Sequence, residues 1–333
     1  MSIDVVRGIA IAGILLINIS YFLSQAGQPV DPRGGDAVIW QVVDLLALGK
    51  FHFVFAFLFG TGVFIFLSRL RAKERSVWVY VRRMIILILA GVLNSALGGI
   101  DVLMSYGVLA LLLLLLTFLP RSVLVAAGVV AALVPDTLVL ATTLGAGGLG
   151  LPPALTLLME FGRTLGHMAL GYWLAERGLF TVGTRLPVKT VFYVALALSV
   201  PIWVWTLVAG TGTGQAHDIA FRTAMVPGLM YITGLILVLR GPKAERALSF
   251  LRFYGRMAFS NYLGQTVICV TVLPLFVTSD HMSALAALGF WLAVVVLQCG
   301  FSALWLRWFR YGPLEWIWRC GTYLEATPLL AEQ

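Results

Sequence analysis

Charged residues are scarce in this chain of 333 residues: Asp, Glu, Lys and Arg make up only 11% of it, whereas hydrophobic residues make up 60%. A soluble domain contains about 25% charged residues, so this composition excludes a soluble enzyme or a soluble binding domain. The three cysteines, Cys269, Cys299 and Cys320, form no CxxC pair and suggest neither a disulfide framework nor a metal site. No GxSxG, HExxH or P-loop sequence occurs, so a hydrolase, a zinc enzyme and an ATPase have no support.

Long hydrophobic runs fill the chain instead. Runs of roughly 16 to 22 apolar residues, long enough to cross a bilayer as helices, recur to its end. The sequence therefore predicts an all-α polytopic transmembrane bundle of about ten spans, forming one integral membrane domain over residues 1–333. The first run is followed by no small-residue cleavage site, so we expect it to be retained. The predicted spans are 1–22, 51–68, 84–99, 102–119, 122–140, 154–175, 191–209, 219–239, 257–277 and 285–306.

The positions of the basic residues indicate how the chain is oriented in the membrane. The net charge of +8 does not indicate nucleic-acid binding, because most Lys and Arg residues stand at the ends of the apolar runs. By the positive-inside rule the basic loops are cytoplasmic, and with ten spans both termini are cytoplasmic as well. The exceptions are Arg33, Lys50, Arg163 and Arg222. Three of these four lie in or beside spans, which makes them candidates for function.

Several connecting segments carry their own predictions. Residues 24–36 and 145–153 are rich in Gly and Pro and predict outer loops, and residues 240–256 predict a basic inner loop. Pro227 is expected to kink the eighth span. The tail from Arg307 to Tyr323 alternates Arg with Trp and Tyr, a pattern typical of interfacial anchors. Gly60 and Gly62 are expected to permit close helix approach.

The first span carries polar residues on a single stripe. At 100° per residue its charges and its amide fall on one face, which cannot face lipid because a charge deep in the bilayer costs about 2.5 to 3.5 kcal/mol. The stripe is therefore expected to face other helices or a wet cavity. Two alternatives stay open: Asp4 and Arg7 as an interfacial pair, and Asn18 as a hydrogen-bonding partner of a neighbouring helix. The stripe consists of Asp4, Arg7, Gly8, Ile11, Leu15 and Asn18.

The remaining polar residues sort into two layers. An outer layer of imidazole, amide, carboxylate and cation is what acid-base catalysis requires, and a proton-coupled transporter would have the same set. An inner layer of arginines could hold phosphates, or each arginine could anchor a lipid headgroup. Likewise, His52 could be an interfacial histidine, and Asp101 could cap the fourth span. The outer layer is Asn18, Lys50, His52, Asn94, Asp101, Glu160, Arg163, His167, His217, Asp218 and Arg222, and the inner layer is Asp4, Arg7, Arg82, Arg83 and Arg256.

Several stretches, in this order, carry a resemblance to a known family. They are Asp4-x-x-Arg7-Gly8 with Gly13 to Ile19, Lys50-Phe51 with Phe57 to Gly62, Arg82-Arg83 leading to Gly91, Asp101 with Tyr106, Gly255 to Tyr262, and Arg310 to Trp316. Together they resemble the DUF418 (YeiB-like) family of bacterial membrane proteins. The resemblance implies a multi-pass protein of the bacterial inner membrane, with acyltransferase-like N-terminal helices over 1–140 and DUF418-like helices over 154–323.

The first helices of that family are similar to the transmembrane acyltransferase superfamily, which includes the lysosomal heparan-glucosaminide N-acetyltransferase. The resemblance implies acyl transfer from cytosolic acyl-CoA, for which acetyl-CoA is the expected form, with Asn18 and His52 in the reaction. Two features depart from the family pattern. The chain begins almost at the Asp-x-x-Arg-Gly motif, and Asn94 stands where the family usually has a histidine. An asparagine cannot act as a general base.

The sequence and the resemblance lead to one principal expectation, an integral membrane acyltransferase that uses acyl-CoA and no metal. The acceptor would be a small molecule, glycan or lipid at or across the bilayer, no nucleic acid is expected, and a homodimer is left open. A transporter or exporter with a site at Glu160, Arg163, His167 and Arg222, and a non-catalytic membrane partner, are the alternatives. The expected residues are Asn18, His52 and Asp101 for catalysis, Arg7, Arg82, Arg83 and Arg256 for the acyl-CoA, and Lys50, Asn94, Arg163, His167 and Arg222 for the substrate.

Overall fold

The computed structural model describes residues 3–28, 35–100, 102–144, 152–181, 183–208, 214–277 and 282–330. Within them the chain is all-helical apart from one isolated bridge between Phe309 and Leu330, which confirms the predicted fold class. The helices are α1 (Ile3–Gln25), α2 (Gly35–Leu46), α3 (Lys50–Ala72), α4 (Trp78–Ala96), α5 (Leu103–Leu116), α6 (Arg121–Leu144), α7 (Pro153–Glu176), α8 (Val188–Val208), α9 (Gly214–Arg222), α10 (Met225–Val238), α11 (Pro242–Ala247), α12 (Ser249–Arg256), α13 (Ala258–Thr271), α14 (Leu273–Phe276), α15 (Ala284–Trp308) and α16 (Pro313–Tyr323).

Within the described ranges, seven helical segments are long and apolar enough to cross a membrane, or eight when the bent pair α9 and α10 is counted as one span. Two further helices correspond to predicted spans. The first is α5, apolar but only 14 residues long, and the second is α7, which has 24 residues but carries Glu160 and Arg163. The structure thus describes a multi-pass membrane protein, while the count of ten spans stays a prediction.

Helices α1 and α3 lie at the centre of the bundle. Three apolar clusters make up the core, and residues of α1 or α3 belong to each of them. Small residues bring α3 and α7 into backbone contact, since a Cβ on Gly60 would overlap the Met168 carbonyl and one on Gly171 would overlap that of Phe57. Close approach of this kind maximises dispersion contacts where lipid supplies no hydrophobic driving force. The prediction for Gly60 is confirmed.

The predicted kink in span eight is confirmed. The span bends by 51° at the break between Arg222 and Met225, in the turn that precedes Pro227. Proline lacks the N–H that would bond to the Thr223 carbonyl four residues earlier, and its ring crowds that carbonyl. The segment predicted as an inner loop over 240–256 contains two helices instead, of which α12 packs on α1 and α15. The predicted loops 24–36 and 145–153 lie largely outside the described residues.

Candidate functional site

A cavity of about 480 Å³ lies at the end of the bundle that is predicted to be cytoplasmic. It is enclosed by α1, α3, α4 and α13 together with the ends of α12, α15 and α16. The arginines line its mouth, and aromatic and aliphatic side chains line its deeper part. The charged residues that line it are Asp4, Arg7, Arg69, Arg83, Arg256, Arg310, Glu315 and Arg319, and the aromatic ones are Phe55, Phe59, Phe66, Tyr80, Phe259, Tyr262, Tyr311 and Trp318.

The mouth is strongly electropositive. Six arginines against two acids leave a formal excess of four positive charges. One acid, Asp4, is paired with Arg7 at 2.8 Å, and the other, Glu315, accepts hydrogen bonds from a helix N-terminus. Guanidinium groups match phosphate oxygens in geometry and charge. The mouth therefore suits a ligand with several negative charges.

Arg83 is held in an aromatic sandwich. Its guanidinium lies 3.6 Å from the centroid of the Trp318 ring and 4.9 Å from that of Phe66. The Trp318 indole N–H also donates to the Arg83 carbonyl oxygen at 2.8 Å, which fixes the two side by side. No carboxylate of the described chain pairs with Arg83. Stacking orients the guanidinium and leaves its N–H edge available to an anion.

Two glycines place Arg7 and Arg256 at the mouth. A Cβ on Gly255 would overlap the Asp4 carbonyl oxygen, and a Cβ on Gly8 would overlap the Leu251 carbonyl oxygen. Helices α1 and α12 are therefore in backbone contact at this point. Since each arginine is the chain neighbour of one of these glycines, the crossing brings both into the cavity lining.

One stripe of α3 runs along the depth of the cavity. Phe55, Phe59, Gly62, Phe66 and Arg69 recur at spacings of three and four and all line it. From Phe55 to Arg69 the stripe is about 21 Å long at 1.5 Å per residue. The expectation that Gly62 permits close helix approach was wrong, because a Cβ there would meet nothing within 4 Å. The missing side chain leaves room in the cavity instead.

His52 is the next residue of the α3 stripe beyond Phe55. Its Nδ1 atom is buried and has no hydrogen-bond partner in the described chain. Tyr106 links it to the cavity: its hydroxyl donates to the His52 carbonyl at 3.5 Å, and its ring packs on Phe55 at 5.5 Å and on Phe59 at 5.3 Å. The stripe thus leads from the arginine mouth towards an imidazole whose Nδ1 atom has no hydrogen-bond partner among the described residues.

Asn18 lies on the outer half of the neighbouring helix α1, and its side chain is buried. Helices α1 and α3 are in contact where Gly13 faces Phe51, because a Cβ on Gly13 would overlap the Phe51 ring. Asp4 and Arg7, further along the same stripe of α1, line the cavity. The structure therefore confirms that this stripe faces the interior, and it places Asn18 and His52 on the outer halves of adjacent helices.

A buried ionic cluster joins α6, α7 and α9 in the outer half. Arg163 Nη2 donates to Glu160 Oε2 at 2.6 Å, and Arg222 donates to the other oxygen of Glu160. Asp136 Oδ1 lies 3.6 Å from Arg163 Nε and from Arg222 Nη1. Both guanidiniums lie over the Phe221 ring, at 4.2 Å and 5.3 Å from its centroid. We call these four charged residues the outer ionic cluster.

The two histidines lie close to this cluster. The Phe221 and His52 rings pack in a T-shaped arrangement, with ring centroids 6.1 Å apart. His167 packs edge-on against Phe53 at 4.8 Å, and its Nε2 atom is buried without a hydrogen-bond partner in the described chain. The structure therefore brings together five of the residues predicted from the sequence, namely His52, Glu160, Arg163, His167 and Arg222.

Other predicted residues are placed differently. Lys50 is fully buried, and its ammonium donates to the carbonyl oxygens of Asp44 at 3.1 Å and Ala220 at 3.0 Å, which ties α3 to the ends of α2 and α9. The Asn94 amide donates to the Ile100 carbonyl at 3.0 Å. Both have structural tasks, and a substrate role for them stays a prediction. Arg82 does not line the cavity, since adjacent residues of a helix point about 100° apart. Asp101 lies outside the described residues.

Sequence reasoning missed several cavity residues. Arg69, Arg310 and Arg319 were attributed to topology, and Trp318 to interfacial anchoring. A weak signal for Arg69 was present, because it continues the spacing of three and four on α3. The tail carried no such signal, since its place in the wall depends on α16 packing against α4 and α13. Among the described residues, no group of His, Cys, Asp and Glu could hold a metal ion.

Glu315 holds the start of α13 in place. Its carboxylate accepts the backbone N–H groups of Phe259 at 2.8 Å and Ser260 at 3.1 Å, and the Ser260 hydroxyl as well. Burial raises the pKa of this carboxyl above its ordinary value. The first turn of α13 is thereby capped from another helix.

We expect Glu315→Ala to lower the free energy of unfolding by about 1 to 3 kcal/mol, because two buried N–H groups lose their acceptor. Glu315→Gln is expected to cost much less, since its amide oxygen can accept the same bonds. Midpoints of thermal unfolding in detergent measure the difference. Equal destabilisation by the two variants would contradict the capping role.

The chain is similar to one family model and to several bacterial proteins. Residues 174–325 match the family model described as "Protein of unknown function (DUF418)". The chain is 28% identical to an uncharacterized 39.9 kDa protein of Bacillus acidopullulyticus, with 100% of this chain and 96% of that protein covered. It is 28% identical to YxaH of Bacillus subtilis, covering 98% and 95%, and 29% identical to YeiB of Escherichia coli, covering 100% and 98%; both are uncharacterized. No solved structure matches it.

Proposed function

We propose, for this DUF418-like membrane protein, an acyltransferase that moves an acyl group from cytosolic acyl-CoA to an acceptor hydroxyl or amine, in the inner membrane of a bacterial cell. The match to the DUF418 model and the similarity to YeiB confirm the predicted resemblance. The relation to the acyltransferase superfamily stays a prediction. The observation that carries the proposal is the cavity, with an arginine mouth and an apolar depth whose lining on α3 ends at Phe55, one helical turn from His52.

The donor would bind with its phosphates at the mouth. Arg7, Arg83 and Arg256 are held there by the glycine crossing and by the aromatic sandwich. The stripe from Arg69 to Phe55 offers the pantetheine arm a path of about 21 Å. Binding energy from the remote phosphates is then available to position the thioester.

The reaction follows from this orientation. His52 takes the proton of the acceptor hydroxyl or amine, and the acceptor atom attacks the thioester carbonyl carbon. The Asn18 amide N–H donates to the oxyanion that forms. The C–S bond then breaks, CoA leaves as a thiolate that takes up the proton, and an ester or amide of the acceptor remains. A catalytic role for Asp101 is predicted from the sequence alone, because Asp101 lies outside the described residues.

Calorimetric titration of the purified protein with CoA and acetyl-CoA tests the donor site. We expect both to bind in the micromolar range and binding to be lost in Arg83→Gln. Arg246→Gln, on the exposed helix α11, removes the same charge outside the cavity and should bind normally. A folded protein that binds neither molecule would contradict the proposal.

Gly62 offers a way to fill the cavity without disturbing the fold. A Leu side chain at this position meets no neighbouring atom near its Cβ and projects into the space the donor would occupy. We expect Gly62→Leu to weaken CoA binding about 5- to 140-fold, the equivalent of the 1 to 3 kcal/mol that overpacking costs. Gly300→Leu is the matched control, since Gly300 is also unobstructed but does not line the cavity. Unchanged CoA affinity in Gly62→Leu would place the donor elsewhere.

A second candidate function is favoured by the outer ionic cluster. Ionised side chains inside a membrane bundle commonly mark the path of an ion or a polar substrate. On this hypothesis the protein transports a small metabolite past Arg163, Arg222 and His167. Uptake into proteoliposomes that needs no CoA, and that is lost in Arg163→Gln, would support transport over acyl transfer.

A further inference from the structure

The outer ionic cluster has hydrogen-bonding capacity that the protein does not use. Arg163 and Arg222 have side chains only 8% and 11% exposed, yet the Nε–H of each lacks a hydrogen-bond acceptor in the described chain. The Asp136 oxygen nearest to both lies at 3.6 Å, too far for a hydrogen bond. Buried donors of this kind are normally satisfied, and the exceptions call for an explanation.

The members of the cluster differ in how far they reach solvent. Glu160 has 29% of its side chain exposed, whereas Asp136 has 9%. Glu160 makes both of the close contacts to the guanidiniums, one oxygen to each. It therefore occupies the position between the two arginines that a carboxylate or phosphate from outside would take.

The cluster also lies against the imidazole of the proposed base. Both guanidiniums lie over the Phe221 ring, and this ring packs against His52 in a T-shaped arrangement. An anion seated between Arg163 and Arg222 would thus be separated from His52 by a single aromatic ring. A small molecule that carries the anion and a hydroxyl or amine could extend past this ring to the base.

We infer that the outer ionic cluster is the acceptor site, and that the acceptor is a small molecule with a carboxylate or phosphate besides its reacting hydroxyl or amine. This inference rests on the proposed function for the reaction, although the anion site itself does not. Arg163 and Arg222 bind the anion, and Glu160 occupies its place until the acceptor arrives.

The net charge of the cluster favours replacement of Glu160 by the acceptor's anion over addition of the anion to the intact cluster. Two arginines and two carboxylates make the cluster formally neutral. An anion added to it would leave a buried net charge, which is costly in a low-dielectric interior. When Glu160 turns out to solvent and a carboxylate or a singly charged phosphate takes its place, the buried charge is unchanged, whereas a doubly charged phosphate adds one negative charge. Asp136, more deeply buried, stays with the arginines.

The experiment is chemical rescue of Glu160→Ala. Removing the carboxylate vacates its place, so acetate, formate or inorganic phosphate should bind there and raise the thermal midpoint in detergent. Above the dissociation constant we expect about 2 to 4 °C for each tenfold increase in anion. Chloride at equal ionic strength should act more weakly, because it cannot bridge two guanidiniums. A response to acetate alone indicates a carboxylate acceptor, and one to phosphate alone a phosphorylated one.

Wild-type protein and Glu245→Ala, which removes an exposed carboxylate of α11 away from the cavity lining, are the controls, since added salts change stability generally. A rise in Glu160→Ala no larger than in these two would overturn the inference. Should Glu160→Ala not fold, Glu160→Ser carries the same test with one hydroxyl acceptor retained. Rescue requires neither CoA nor turnover. Rescue without CoA binding would therefore support the anion site and contradict the acyltransferase proposal. CoA binding without rescue would support the acyltransferase proposal and contradict the anion site.

Discussion

Replacing His52 by alanine is expected to lower the rate of acyl transfer by about 10²- to 10⁴-fold, which is the usual contribution of a general base. The physical reason is that the acceptor would have to lose its proton to water in an apolar site. CoA binding should be unchanged, because the arginine mouth lies at the other end of the α3 stripe. Single-turnover formation of the acylated acceptor measures the effect, and calorimetry of CoA checks the binding.

His217→Ala is the matched control for this variant. His217 is 58% exposed at the side chain and lies 3.5 Å from Asp44, away from the cavity lining. Its removal should leave acyl transfer unchanged. A His52→Ala protein with wild-type turnover would show that another group accepts the proton. The stripe of α3 would then not lead to the catalytic base.

Glu160→Ala is expected to lower the free energy of unfolding by about 3 kcal/mol, at the lower end of the 3 to 5 kcal/mol measured when one partner of a buried ion pair is removed. Its loss leaves Arg163 and Arg222, both nearly inaccessible, with a single distant carboxylate. The value is at the lower end because Glu160 itself is partly exposed. Thermal or denaturant unfolding in detergent measures it in the absence of rescuing anions.

Asp4→Ala provides a comparison at equal sequence spacing. Asp4 and Arg7 are also three residues apart and 2.8 Å from each other, but their side chains are 32% and 31% exposed. Solvent screens such a pair, so we expect its loss to cost less than about 1 kcal/mol. Similar costs for the two variants would mean that water reaches the outer ionic cluster freely.

The helices could be predicted because the signal for them is local. An apolar run of sufficient length fixes a span whatever it packs against, so the predicted spans 51–68, 122–140 and 285–306 lie within α3, α6 and α15. Where the signal was not local, prediction failed. The segment 240–256 was predicted as a loop, but α12 forms within it and packs against α1 and α15.

The site was predictable only in part. Charges inside apolar runs identified Arg163, Glu160 and Arg222 as candidates, because such residues need a reason to be there. Their partner Asp136 was not among the candidates, since nothing in its own segment indicates the arginines it faces. The role of Gly62 was equally hidden. A glycine that leaves space and a glycine that permits contact look the same in sequence, and only the neighbouring helices distinguish Gly62 from Gly60.

The cavity draws its wall from both ends of the chain. Asp4 and Arg7 belong to the first helix, and Trp318 and Arg319 to the last. During synthesis the early helices enter the membrane long before α16 is made, so the pocket cannot close until α16 has been translated. A chain released before that point could insert and persist, but it would lack the stacked indole and the Glu315 cap. Ligand binding would therefore also report that α16 is present and packed.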